Sequence, residues 1–161
     1  MTRDTSRARA LEYLRAHHVV TLATLGPEGP WAAAVFYAND DFRLIYLSAP
    51  SSRHSLNLAR DPRVAATVQE DYADWPGIQG VQLEGVAREI SGDAEKHARA
   101  LYGKKFPVVG KLSQAPASIV AAMAKIRWYE VVPERAWFVD NSIAFGHRDE
   151  IPGEPAVSRD P

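Results

Sequence analysis

The densest chemistry in the sequence lies in Ala49-Pro50-Ser51-Ser52-Arg53-His54. Arg53 to Arg60 reads as a two-turn helix that Asp61-Pro62 stops, with Ser51 or Ser52 as its cap. The first N–H groups of such a helix have no partner within it, and its dipole places roughly half a positive charge at that end. Two serine hydroxyls sit there, with a guanidinium that can pair bidentately with phosphate oxygens. His54 adds an imidazole that becomes cationic when an anion raises its pKa. In chemical terms this is a phosphate site. The same residues also make a capped surface helix with solvated basic side chains, and spacing does not choose between the two.

Other chemistries are excluded or left without residues. The chain has no cysteine, which rules out disulfides, thiolate metal sites, iron–sulfur clusters and cysteine nucleophiles, so redox chemistry must come from a bound cofactor. His17, His18, His97 and His147 lack ligand spacing to one another, and no metal site is expected. No G-x-S-x-G elbow, H-E-x-x-H helix, G-x-G-x-x-G turn or phosphate-binding P-loop is present, and no residue is assigned a catalytic role. Nineteen basic and twenty acidic residues give a net charge of -1, which supplies no field for a polyanion, so nucleic acid is not an expected partner. No apolar run approaches the roughly 20 residues of a membrane span. Met1 to Arg15 alternates Arg with Ala and Ser, without a signal-type apolar centre. A soluble, cytoplasmic protein is the expectation.

The elements that must position the phosphate site are mostly short strands. With 161 residues, 46% of them hydrophobic, the chain can bury one core, and a single domain over residues 1–151 is expected, followed by a loose tail over 152–161. An opening helix over 5–17, capped by Asp4 or Thr5, puts Ala8, Leu11 and Leu14 on one face. Strands are expected at Val19 to Leu25, Trp31 to Tyr37 and Phe42 to Ser48, and then, after the short helix, at Val64 to Val68 and Gln79 to Ile90. Gly80 and Gly85 mark bulge or close-approach positions in the last of these. Helices follow at Asp93 to Tyr102, ending at Gly103, and at Ala115 to Ala124. Strands at Ile126 to Val132 and Ala136 to Val139 flank a break at Pro133, and a last short strand falls near Ile143 to Phe145. Six to seven antiparallel strands with a few helices make a mainly β fold, a small barrel with helical covers.

Thr21-Leu22-Ala23-Thr24, the Gly-Pro turn, Trp31 to Tyr37, Tyr46-Leu47-Ser48 and Ser52-Arg53-His54 with Asn57-Leu58 and Asp61-Pro62 resemble the FMN-binding split-barrel superfamily of pyridoxamine 5'-phosphate oxidase. Val81-Gln82-Leu83-Glu84-Gly85, Lys105-Phe106-Pro107-Val108 and Phe138-Val139-Asp140-Asn141-Ser142 are similar to its small YhbP-like branch. The resemblance implies a split barrel, FMN as cofactor, and a homodimer with flavin sites at the subunit interface. It implies that Ser52, Arg53 and His54 grip the phosphate, with His54 standing where the superfamily has Lys. Ser48 would lie near the phosphate and ribityl chain, Trp31 and its strand would lie against the ring, and main-chain groups of Ala33, Ala34 and Val35 would meet the ring's polar edge. Gln82, Trp75, Trp137 and Asn141 are candidates for a wall supplied by the partner chain. The activity implied is an oxidoreductase acting on a small molecule. The alternative is a non-catalytic carrier of haem, deazaflavin or FMN on the same fold.

Overall fold

In the computed structural model, which describes residues 3–152, alternating side chains along short strands build a closed barrel. Strand β1 (Val19–Gly26) returns as β2 (Gly29–Asp40) through a tight turn in which Gly29 takes φ +100, a geometry that a side chain would strain. Strand β3 (Arg43–Ser48) pairs with β2. Helix α2 (Arg53–Arg60) then carries the chain to β4 (Arg63–Val68) on the other side of β1. The long strands β5 (Gln79–Ile90) and β6 (Arg127–Asp140) form a ribbon. The first part of β6 pairs with β3 and closes six antiparallel strands; its second part takes on β7 (Arg148–Ile151) as an extra strand.

Inward-facing residues of every barrel strand, among them Val20, Leu22, Tyr37, Leu44, Tyr46, Val81 and Phe138, form the main core. Helix α1 (Arg3–Ala16) adds Ala10, Tyr13 and Leu14 to it. A second, smaller core lies outside the barrel, where Ala98 and Tyr102 of α3 (Gly92–Lys105) cover Ala38, Ile45 and Trp128. This explains why β3 is apolar on both faces: Leu44 and Tyr46 point inward, and Ile45 lies under α3.

The mainly β split barrel is as expected, but several element readings need correction. Pro133 does not break a strand, because β6 runs through it. The register shifts at Glu84/Gly85, and the missing N–H of proline falls opposite Gly85 at that bulge. A Cβ on Gly85 would lie 2.1 Å from the Val132 carbonyl oxygen, so only glycine permits the approach. Ile143 to Phe145 is a turn, stabilised by Gly146 at φ +73 and its N–H donating to Asn141 Oδ1, and the last strand is β7 instead. Helix α3 continues past Gly103 to Lys105, and Gly103 packs directly against Gly110. Helix α4 (Pro107–Gly110) and a 3-10 turn (Leu112–Gln114) were not anticipated, and they shorten the expected alanine-rich helix to α5 (Ala117–Met123). In α1 the expected caps Asp4 and Thr5 fall inside the helix. Its buried face is Ser6, Ala10, Tyr13 and Leu14, whereas Ala8 is exposed. Of the expected tail, Gly153 onward lies outside the described residues.

Candidate functional site

Ser52 is the cap of α2: it takes extended backbone angles, and its Oγ accepts from the Ser55 N–H at 3.3 Å. The same oxygen donates to Ser55 Oγ at 2.8 Å and lies 3.0 Å from Ser48 Oγ. Ser48, the last residue of β3, meets His54 Nε2 at 2.6 Å, and Ser52 Oγ lies 3.2 Å from the same nitrogen. The expectation that an anion makes His54 cationic concerns the ligand-bound site, whereas the ring here has no anion beside it. The ring is only 9% exposed, and burial lowers its pKa, so in this state a neutral imidazole binds two hydroxyls.

The register of α2 on the barrel comes from Thr24, Gly26 and Asn57, to which sequence reading gave no separate role. Asn57 Nδ2 donates to Thr24 Oγ1 at 3.1 Å, both residues being buried. A Cβ on Gly26 would stand 1.9 Å from Asn57 Oδ1, so glycine at the end of β1 is what admits the amide. Asn57 falls three residues after His54, on a neighbouring part of the helix surface. That spacing was a visible signal, but only the fold supplies Thr24 opposite it.

Arg53 turns the other way. Its guanidinium lies 4.3 Å over the Trp31 ring and 3.9 Å from Glu28, and one third of the side chain is exposed. Trp31 pairs with Thr24 in the β1–β2 register, which places it on the side of the sheet that α2 covers. Ala33 and Val35 share that face, opposite Leu22 and Val20. Ala34 and Gln82 do not: they sit on the outer face, in a row that runs Ala34, Thr21, Thr67, Gln82, Trp137 across five strands. The structure thus gathers Trp31, Ser48, Ser52, Arg53 and His54 around the start of α2 and leaves Gln82 outside that cluster. Trp75 and Asn141 meet elsewhere, where Asn141 Nδ2 donates to the Trp75 carbonyl at 2.9 Å.

Other features of the molecule frame this cluster. The outer face of β1 and β2 exposes Val19, Leu25 and Phe36, the last at 59%. A concavity of about 330 Å³ lies beside that face, against Ala23, Leu25, Arg63, Ala65, Glu84 and Glu134, and is separate from the α2 start. Deep in the barrel Tyr46 stacks on Tyr129 at 5.2 Å, and its buried hydroxyl has no hydrogen-bond partner. His147 Nε2 lies 3.1 Å from Asp149, which also accepts from Ser6 Oγ. Among the described residues no group of three side chains is arranged to hold a metal ion, and no helix is long and apolar enough to cross a membrane.

The model of the family described as "Pyridoxamine 5'-phosphate oxidase" matches residues 6–140. A UPF0306 protein of Klebsiella pneumoniae is 33% identical over 138 residues, which cover 84% of this chain and 86% of that one. Among solved structures, a heme binding protein from Mycobacterium smegmatis superposes with a TM-score of 0.68 at 25% identity, over 93% of this chain and 57% of that one. A FAD-binding protein from Mesorhizobium loti has the same fold, with a TM-score of 0.59 at 20% identity over 80% of this chain and 90% of that one.

Proposed function

The chain belongs to the pyridoxamine 5'-phosphate oxidase family, and from that premise we propose that it is a cytoplasmic, homodimeric flavoprotein that binds FMN and acts as an oxidoreductase on a small molecule. The observation that carries this reading is the cluster at the start of α2. There the N–H groups at the start of the helix, the Ser52 hydroxyl and the Arg53 guanidinium are held within one short stretch, next to the ring of Trp31. This donor set fits a phosphate monoester. Arg53 would supply the formal charge and two N–H donors, and Ser52 a hydroxyl. Neutral His54 would hold Ser48 and Ser52 in place rather than add charge. Trp31, Ala33 and Val35 share a face of β2, and by the family resemblance main-chain groups at Ala33 and Val35 would meet the ring's polar edge. Ala34 and Gln82, on the outer face, would serve the site only by meeting a second copy, and the exposed apolar surface of β1 and β2 supports that arrangement.

When bound, FMN supplies the hydride chemistry at its own ring nitrogen. The tasks left to the chain are to grip the phosphate, orient the ring and keep one ring face open to a second reactant. A second reading, a haem carrier on the same fold, is favoured by the likeness to the heme binding protein from Mycobacterium smegmatis. The visible spectrum of the gently purified protein, followed by titration of the ligand-free chain with FMN, separates the two. A flavin profile and saturable FMN binding are expected. A Soret-type band together with failure to saturate at millimolar FMN, an interaction of about -4 kcal/mol or weaker, would overturn the FMN assignment.

A further inference from the structure

Two exposed features of this chain complement each other. The first is the arm over residues 107–125, which holds α4, the 3-10 turn and α5. None of these three elements buries a residue, and α5 has no substantial packing partner among the other elements. Val108, Ile119 and Val120 are exposed, at 50%, 38% and 44%. The only charges of the arm are the cations Lys111 and Lys125. A seven-residue helix is not stable alone in water, so such an arm needs a surface to pack on.

The second feature is an aromatic pair on two loops. Trp75 and Phe145 are 67% and 77% exposed, yet they are held with ring centroids 5.5 Å apart. Asn141 staples the loops together: its Nδ2 donates to the Trp75 carbonyl, its Oδ1 accepts from the Gly146 N–H, and its own N–H donates to the Ile78 carbonyl. Ile143, also exposed, extends the patch. The loop over 69–78 carries Glu70, Asp71 and Asp74 and no cation. Preorganised exposed aromatics beside carboxylates suit an apolar segment that bears positive charge, and buried aromatics dominate binding energy at interfaces.

We propose that the arm over 107–125 of one copy of the chain docks on the Trp75–Phe145 patch of a second copy. Charge complementarity argues for this occupant: the only charges of the apolar arm are cations, and the only charges of the loop that holds Trp75 are acids. In a two-fold dimer the contact forms twice, so the exposed α5 of each arm and both patches are covered together. The proposal rests on the homodimer of the preceding reading but not on its cofactor.

Because the natural chain has no cysteine, a Val120→Cys, Ile143→Cys double variant reports the contact cleanly. Equal amounts of isotope-labelled and unlabelled chain are mixed and oxidised mildly, and the linked peptides are read by mass spectrometry beside light scattering of the untouched wild type. The expected result is a dimer whose linkage between positions 120 and 143 joins labelled to unlabelled chains. In addition, Trp75→Ala with Phe145→Ala should raise the dimer dissociation constant by roughly ten- to a hundredfold. Linkages confined to single chains would mean that the arm folds back on its own molecule, and would overturn the proposal. So would a dimer with no linkage, or one indifferent to loss of the two aromatics, either of which leaves the homodimeric reading standing. A monomeric wild type would remove both.

Discussion

Ser48 Oγ and His54 Nε2 lie 2.6 Å apart, so the end of β3 and the first turn of α2 are tied by a neutral hydroxyl–imidazole contact. A basic-looking pair in the sequence, Arg53-His54, is thereby split into two roles. One side chain lies over Trp31 with a third of its surface in solvent, and the other is folded into the barrel wall.

His54 has a definite pH signature. Burial depresses its folded-state pKa below the ordinary 6.5, so below that value the unfolded chain binds a proton that the folded chain resists. The stability that His54 contributes is full above pH 6.5 and falls as pH drops toward the folded-state value. Urea midpoints from pH 8 down to 5 should decline less steeply in His54→Gln than in wild type. Parallel curves would show that the ring is not held neutral.

Gly26 and Asn57 should behave as one unit. Gly26→Ala drives a methyl into the Asn57 amide and should cost about 1–3 kcal/mol. Asn57→Ala strips Thr24 of its buried partner, at about 1–3 kcal/mol. With the amide gone the clash is gone too, so the double variant should be no less stable than Asn57→Ala alone. Additive losses in denaturant unfolding would refute the steric account.

Arg53 carries the formal charge of the proposed phosphate grip. Arg53→Ala should weaken FMN binding by about 1.5–3 kcal/mol, roughly ten- to a hundredfold in Kd, with little change in the unfolding midpoint because the side chain is partly solvated. Undiminished affinity would place the phosphate elsewhere.

Lys105 links α3 to the end of α1. Its Nζ donates to the carbonyls of Leu14 and His17 and lies 4.2 Å over the Tyr37 ring. Burial lowers its pKa to about 8 from 10.5, so the unfolded chain holds the extra proton between those values and stability should rise with pH across that window. The buried tyrosines Tyr37 and Tyr46, whose pKa values are raised, oppose this trend only above about pH 10. Between pH 8 and 10 the wild type should therefore gain stability relative to Lys105→Met, and a flat difference would contradict the burial of the amine.

Local patterns were enough for most of the barrel and for the start of α2. Period-two alternation between turn residues marks β1 to β5, and Ser52 before Arg53 with Asp61-Pro62 at the far end brackets the helix, because these signals act within a few residues of one another. The sequence by itself therefore determined the mainly β class, the strands up to β5, and where an anion would be sought. Tertiary structure decided the rest, because those outcomes depend on neighbours distant along the chain. The β6 strand runs unbroken through Pro133 only because Gly85, far upstream, offers a bulge opposite it. The pKa of His54 is lowered because the barrel wall buries it. Ala34 and Gln82 face outward because the register across four pairings places them there. Burial and charge state are properties of an environment, and that environment exists only once the strands have closed.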